Sequence, residues 1–138
     1  MNRQLTMLIV DDMEVERISF AEIFKDEYQI LEAENGKQAM EQLEQQKVHI
    51  VLCMPVMDGF EVIREMKQQD KYADIPIVAK TAIDEKTEVK ALEAGADEYI
   101  FSPCDPAIVK KRVHNLVEKY ILEREKIRAQ LEKEQEMG

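Results

Sequence analysis

Two adjacent carboxylates, Asp11 and Asp12, follow a short apolar run near the start of the chain. Mg²⁺ prefers oxygen ligands and usually keeps several of its waters, so such a pair can form part of a magnesium site. An aspartate that precedes a helix can instead cap the helix N-terminus. The pair by itself leaves both interpretations open, and the elements around it must decide between them.

The spacing of the apolar residues predicts five strands that alternate with five helices. The strands are predicted at residues 8–10, 30–33, 48–52, 77–79 and 99–101. Strict alternation of strands and helices predicts an α/β fold in which a parallel sheet carries helices on both faces.

The ligand site of such a sheet lies at the carboxyl ends of its strands. Six residues occupy these ends: Asp11, Asp12, Cys53, Met54, Thr81 and Ser102. The two cysteines, Cys53 and Cys104, have no histidine near them in sequence and make a poor metal-binding set. We expect both to be ordinary buried or partly buried thiols.

The last predicted helix runs from Pro106 almost to the end of the chain. Five of its apolar residues fit the spacing of a coiled-coil seam, which Glu123 interrupts: Val109, Val113, Leu116, Tyr120 and Ile127. A solvated tail, a linker and a short coiled coil all stay open. We predict one domain over residues 1–122 and a charged helical extension or linker over residues 123–138, with a homodimer through this helix or the sheet edge as a further expectation.

The overall composition argues against several classes of function. The net charge of −10 disfavours direct binding to nucleic acid, which needs clustered lysine and arginine. No apolar run approaches the roughly 20 residues of a membrane span, and the N-terminus lacks the cleavage region of a signal peptide. A cytoplasmic protein with reduced thiols is expected. The chain has no glycine-rich phosphate loop and no evident nucleophile–base pair, so we do not expect an enzyme.

Six segments occur in the order that is typical of response-regulator receiver domains: LIVDD, ENGKQAM, MPVMDGFEVI, DIPIVAKTA, EAGADEYI and PCDP. The chain resembles this family over about residues 6–122. The resemblance implies a doubly wound five-stranded parallel sheet of the flavodoxin-like order 2-1-3-4-5, here with an extended C-terminal helix. It also implies signalling, in which a histidine kinase or another signalling protein is the partner and Mg²⁺ the cofactor.

The resemblance also assigns roles to individual residues. Asp11 and Asp12 match the acidic pair that holds Mg²⁺ in the family. Thr81 matches the hydroxyl residue that contacts the phosphoryl group, and Tyr99 matches an aromatic switch residue. Simpler explanations stay open for the last two, since threonine favours strands in general and Tyr99 could merely pack at a sheet edge.

The phosphoryl-acceptor aspartate of the family has no counterpart at the expected place. The family carries it at the end of the third strand, with two residues between it and Met-Pro, so that counting back from Met54 gives Val51. Counting forward from the turn at Gly36 gives a position near Met54. The two counts differ by three residues, from 51 to 54, which predicts a three-residue deletion between Leu52 and Pro55. A natural deletion, an engineered change and a sequence error would all produce this pattern.

A second departure concerns the family's lysine after the fifth strand, which is Ser102 here. Losing an anion and its cation together leaves the local charge nearly unchanged, whereas losing one alone would leave a buried charge unpaired, at a cost of about 3–5 kcal/mol. Asp58 is a weak fallback acceptor because an Asp-Gly turn explains it, and Lys80 either supplies a replacement cation or merely covers the surface. We therefore expect a receiver that is impaired in aspartyl phosphorylation and acts as a protein-interaction module; the alternative is a functional phosphorelay receiver.

Overall fold

A computed structural model of the chain describes residues 4–53, 59–82, 89, 93–102 and 105–137. The strands in this part of the chain are β1 (Leu5–Val10), β2 (Tyr28–Ala33), β3 (Ile50–Cys53), β4 (Ile77–Ala82) and β5 (Glu98–Ser102). The long helices are α1 (Glu14–Phe24), α2 (Gly36–Gln45), α3 (Gly59–Gln68) and α4 (Pro106–Met137). Of the further helix predicted before β5, residues 89, 93 and 94 are described and are helical, and its remainder lies outside the described residues.

All strand pairs are parallel, and the sheet has the order β2-β1-β3-β4-β5. This order confirms the predicted doubly wound architecture. The strand between β1 and β4 is β3, all four residues of which are fully buried. Strands that are covered on both faces are expected to be apolar throughout rather than alternating, and the sequence Ile-Val-Leu-Cys meets that requirement.

Alternate residues of each strand point to opposite faces of the sheet and build two separate cores. Leu8 and Val10 of β1 belong to the core beneath α2 and α3. Met7 and Ile9 belong to the core beneath α1 and α4. Both cores use fully or nearly fully buried side chains from the central strands, so the sheet is held between its two helical layers mainly by the burial of apolar surface.

The long helix α4 is attached to the domain by its first half. Val109, Val113 and Val117, spaced four residues apart, are all buried against the sheet. Beyond them the hydroxyl of Tyr120 donates a hydrogen bond to Oδ1 of Asp97 at 2.5 Å. The other oxygen of Asp97 accepts from Nζ of Lys67 at 3.1 Å and from the backbone N–H of Ile77 at 2.8 Å. One carboxylate therefore joins α4, α3 and the start of β4.

We expect Tyr120→Phe to lower the free energy of unfolding by about 1.5–3 kcal/mol, the range for a hydrogen bond to a charged group. Burial and the Asp97 carboxylate raise the pKa of Tyr120 above its usual value, and burial raises the pKa of Tyr28 to about 12. A raised pKa in the folded state gives stability that is complete below the unfolded pKa, about 10, and is lost as the pH rises through the folded pKa.

Urea unfolding across the alkaline range tests both statements. The wild type should lose stability above about pH 10, and Tyr120→Phe should be less stable at neutral pH but lose less on going to alkaline pH. Tyr72→Phe is the control, because this buried tyrosine shows a cation contact with Lys71 rather than a carboxylate partner. Equal stability of Tyr120→Phe and the wild type at neutral pH would contradict the role of the Asp97 junction.

Candidate functional site

Asp11 lies directly after β1, at the carboxyl edge of the sheet, and its position is fixed by three contacts. Its backbone N–H donates to the carbonyl of Ala33 at 3.0 Å. Its carbonyl accepts from Nη1 of Arg17 at 2.8 Å, and its side-chain Oδ1 accepts from the backbone N–H of Met13 at 3.0 Å. Asp11 is only 4% exposed, while the next residue, Asp12, is exposed.

The helix-capping interpretation of the acidic pair does not match the geometry. The N-cap residue of α1 is Met13, and no side chain caps this helix end. The backbone N–H of Met13 donates to the side chain of Asp11, two residues earlier, which is the hydrogen bond of an Asx turn. Asp11 therefore stabilises the turn between β1 and α1. Asp12, the next residue in this turn, lies at the same edge of the sheet and is exposed.

The local electrostatics favour a cation at this place. Burial raises the pKa of Asp11, the Met13 N–H lowers it in part, and the neighbouring Asp12 and Glu16 raise it further. The surrounding groups thus offset only part of the negative charge of an ionised Asp11. Two carboxylates of this kind fit a divalent cation that keeps several waters. Within the described residues no group of three or more histidine, cysteine, aspartate or glutamate side chains is arranged for a metal.

Asp11→Asn keeps the oxygen that accepts the Met13 N–H and removes the buried charge. Because the pKa of Asp11 is raised in the folded state, the protein is most stable when the Asp11 carboxyl is protonated. This contribution to stability is complete below about pH 4 and is lost as the pH rises through the folded pKa. We expect Asp11→Asn to be more stable than the wild type at neutral pH without divalent cations. The wild type should gain about 1.4 kcal/mol when Mg²⁺ is at tenfold its dissociation constant, and the variant should gain less.

Urea unfolding with and without MgCl₂ measures both effects. Asp26→Asn is the matched control, since Asp26 is an exposed carboxylate in the turn between α1 and β2. An identical Mg²⁺ effect on the wild type and Asp11→Asn would remove Asp11 from the candidate cation site.

The carboxyl end of β3 presents a thiol rather than a carboxylate. Cys53 is the last residue of β3, pairs in register with Val10 and is fully buried. Burial, with a smaller contribution from the charge of Asp11, raises the pKa of this thiol to about 12. Cys53 is therefore neutral at physiological pH, and a neutral thiol is a poor nucleophile and a poor metal ligand.

Val51, one of the two positions predicted for the acceptor, lies inside β3. It pairs with Leu8 of β1 and with Ile77 of β4, and its side chain is fully buried. Met54, the other position, and the fallback residue Asp58 lie outside the described residues, as does Cys104.

The remaining predicted site residues lie on β4 and β5. Thr81 pairs with Phe101, and Ala82 pairs with Ser102, so Thr81 and Ser102 both lie near the carboxyl edge that Asp11 also occupies. Tyr99 lies earlier on β5, is partly buried and packs against the core beneath α2 and α3. Its carbonyl accepts a hydrogen bond from Nη1 of Arg112 at 3.3 Å. The switch roles of Thr81 and Tyr99 stay predictions.

Lys80 has a specific partner that the sequence did not reveal. Its Nζ lies 2.5 Å from Oε2 of Glu16 on α1 and 4.8 Å from the centre of the Phe20 ring. Its side chain is only 14% exposed. The two charged residues are 64 positions apart in the sequence, so their spacing could not predict the ion pair. The one signal in the sequence was the presence of a lysine within an otherwise apolar strand. Lys80 neutralises Glu16, which is one of the carboxylates that raise the pKa of Asp11.

We expect Lys80→Met to leave Glu16 without this cation and to make the acidic edge more negative. The variant should be destabilised by about 1–3 kcal/mol through the unpaired charge. It should bind Mg²⁺ roughly two- to tenfold more tightly, the effect of one unit charge in a partly solvated site. Isothermal titration and urea unfolding measure these changes, and Lys80→Arg is the control that keeps the charge. Weaker or unchanged Mg²⁺ binding by Lys80→Met would show that this ion pair is electrostatically separate from Asp11 and Asp12.

Comparison with known sequences gives a consistent result. Residues 7–114 match the family described as Response regulator receiver domain. Chemotaxis protein CheY of Halobacterium salinarum is 39% identical over 101 residues, which are 70% of this chain and 83% of that protein. Histidine kinase P4 of Formosa agariphila is 35% identical over 117 residues, or 82% of this chain but 8% of that protein. The chain also spans 54% of Response regulator RR06 of Streptococcus pneumoniae at 29% identity.

Solved structures agree with these sequence matches. A putative response regulator from Chloroflexus aurantiacus superimposes with a TM-score of 0.79 at 26% identity, covering 83% of this chain and 98% of that one. The receiver domain of the sensor histidine kinase PA1611 from Pseudomonas aeruginosa, which has a magnesium ion coordinated in its active site cleft, shares the fold with a TM-score of 0.75. It is 24% identical and covers 83% of this chain and 98% of that one. In the described part of this chain, no helix has the length and apolar character needed to cross a membrane.

Proposed function

Because this chain belongs to the response regulator receiver domain family, we propose that it is a two-component receiver that does not accept a phosphoryl group at the end of β3 and acts as a protein-interaction module. One observation carries the proposal. The position on β3 that pairs with Val10, next to Asp11, is the buried thiol of Cys53, and the sequence has no carboxylate between Glu44 and Asp58.

The strand register supports a deletion after Cys53 rather than a substitution at Val51. Val10, the residue before Asp11, pairs with Cys53, the last residue of β3. An acceptor beside the acidic pair would therefore have to follow Cys53 in the sequence, where the described part of this strand ends. A carboxylate at Val51 would instead lie in the core between β1 and β4, where an ion is costly.

The groups that remain do not replace the missing nucleophile. The Cys53 thiol is neutral at physiological pH because burial raises its pKa to about 12, so the last described residue of β3 does not supply an anionic nucleophile. The family's lysine is absent as well, since Ser102 occupies its position. Loss of both groups avoids an unpaired charge, which supports an inherited loss of phosphorylation that the fold has accommodated.

Mg²⁺ is still compatible with the site. Asp11 and Asp12 would hold the ion, with waters completing its coordination shell. The positive charge of the ion would favour the ionised form of Asp11, which burial and the neighbouring carboxylates disfavour. In this proposal the cation stabilises the β1–α1 turn and has no bound phosphoryl group to orient. The retained acidic pair is also the observation that favours the alternative, a functional phosphorelay receiver in which a histidine kinase phosphorylates another residue, such as Asp58.

An exposed apolar surface beside the acidic pair supports a role in protein contact. Met13, Val15 and Ile18 are 55%, 71% and 49% exposed, although all three are apolar. They lie at the start of α1, directly after Asp11 and Asp12. Clustered apolar residues on a surface that is otherwise charged mark a site of protein interaction. We propose that a histidine kinase or another signalling protein binds here.

Treatment with a small phosphodonor and Mg²⁺, followed by intact-mass measurement, tests the proposal. We expect no phosphoryl group on the wild type under conditions that label an ordinary receiver. A gain of one phosphoryl group that is lost in Asp58→Ala would establish the alternative. A gain that survives Asp58→Ala would also overturn the proposal and would point to an acceptor elsewhere.

A restoring variant makes the negative result informative. Insertion of Asp-Ala-Ala between Cys53 and Met54 recreates the family's order of strand, aspartate, two residues and Met-Pro. Combined with Ser102→Lys, it should gain one phosphoryl group in the presence of Mg²⁺. The matched insertion of Asn-Ala-Ala should gain none. If both insertions stay unlabelled although both are folded, the missing aspartate is not the reason for the inactivity.

A further inference from the structure

A cavity of about 710 Å³ lies at the amino edge of the sheet, at the opposite end of the strands from the acidic pair. Leu5 and Tyr28, the first residues of β1 and β2, pair in register and line this cavity. Val117 and Ile121 of α4 line it from the helix side. Cavities of roughly 300–1,000 Å³ with a mainly apolar lining and a few polar groups are typical of small-molecule sites.

Tyr28 contributes a polar group that the protein itself does not use. The residue is only 5% exposed, and its ring packs edge-on against Phe24 with the ring centroids 5.8 Å apart. Within the residues that the structure describes, the Tyr28 hydroxyl has no hydrogen-bond partner. A buried tyrosine hydroxyl usually has one. Because burial raises the pKa of Tyr28 to about 12, this hydroxyl stays protonated and can both donate and accept.

Three carboxylates line the same cavity. Asp26 and Glu27 come from the turn before β2, and Glu118 comes from α4. Two basic side chains contact them: Nζ of Lys110 lies 3.9 Å from Oε1 of Glu27, and Nε2 of His114 lies 3.2 Å from Oε1 of Glu118. Three carboxylates against one lysine and one histidine favour a positively charged ligand and disfavour phosphate or carboxylate ligands.

We propose that this cavity binds a small organic cation, namely a primary amine whose apolar body carries a hydroxyl or carbonyl group at its far end. The ammonium group donates to the carboxylates of the cavity, the apolar body packs on Leu5, Val117 and Ile121, and the far polar atom bonds to the Tyr28 hydroxyl. A bare metal ion would leave the apolar lining unused, and the described part of the chain has no group of three metal-binding side chains. The cavity is remote from Asp11, so the proposal holds whether or not the domain is phosphorylated.

Tyramine is a suitable probe because an ammonium group and a hydroxyl lie at opposite ends of its apolar body. In a titration of the whole chain followed by amide NMR, tyramine should bind with a dissociation constant on the order of 1 mM, as expected for a ligand of about ten heavy atoms. Phenethylamine, which lacks the hydroxyl, should bind about fivefold more weakly. Tyrosol, which has an alcohol in place of the ammonium group, should bind at least about tenfold more weakly, because hydrogen bonds to charged groups are the stronger ones.

Two variants connect these differences to named side chains. Glu118→Gln should weaken tyramine binding roughly tenfold, whereas Glu132→Gln, which removes an exposed carboxylate farther along α4, should leave it unchanged. Tyr28→Phe should reduce the affinity for tyramine to that for phenethylamine and leave phenethylamine binding unaltered. No binding at ten times the expected dissociation constant, equal binding of tyramine and tyrosol, or an equal loss in Glu132→Gln and Glu118→Gln would overturn the proposal.

Urea unfolding provides a test of Tyr28 that does not involve a ligand. Because its hydroxyl has no bond to lose, Tyr28→Phe should be at least as stable as the wild type at neutral pH, unlike Tyr120→Phe. A loss of stability in Tyr28→Phe as large as that in Tyr120→Phe would show that the Tyr28 hydroxyl is already bonded within the protein, and it would remove this group from the proposed site.

Discussion

The parallel pairing of β1 with β3 is the constraint on which the rest of the site depends. It sets Val10, the residue before Asp11, beside Cys53, the last residue of β3. A strand buried on both faces cannot slip by one residue without exchanging its two sets of apolar side chains, and β3 is fully buried on both sides. The packing of the core therefore fixes which residue of β3 lies beside Val10, and in this chain that residue is the buried Cys53.

Charge around the acidic edge is balanced through the helix α1 rather than through the site itself. Arg17 donates to the carbonyl of Asp11 and pairs with Glu32 at 3.2 Å, and Lys80 pairs with Glu16. The described cations nearest to Asp11 are thus held by other carboxylates or by backbone. This arrangement leaves the pKa of Asp11 raised, and a divalent cation, as proposed, would offset the negative charge that remains.

The sequence predicted the number, type and order of the strands, because strands in a two-sided sheet are short apolar runs separated by clear turns. It did not predict the limits of β3, which begins at Ile50 and ends at Cys53 rather than spanning 48–52. The ion pair of Glu16 with Lys80 also could not be predicted from the sequence, because it depends on how α1 lies relative to β4. The exposure of Val15 and Ile18 also depends on which face of α1 the fold covers, and helical spacing alone does not specify that face.

The two ends of β4 connect the acidic edge with the long helix. At its start, the backbone N–H of Ile77 and the hydroxyl of Tyr120 share the carboxylate of Asp97. Toward its end, Lys80 holds Glu16, which acts on Asp11. The same strand therefore contacts α1 through Lys80 and α4 through the Asp97 carboxylate. Since α4 continues without a break to Met137, the Asp97 carboxylate, which is hydrogen-bonded to both Ile77 and Tyr120, holds the helix at the point where it leaves the sheet.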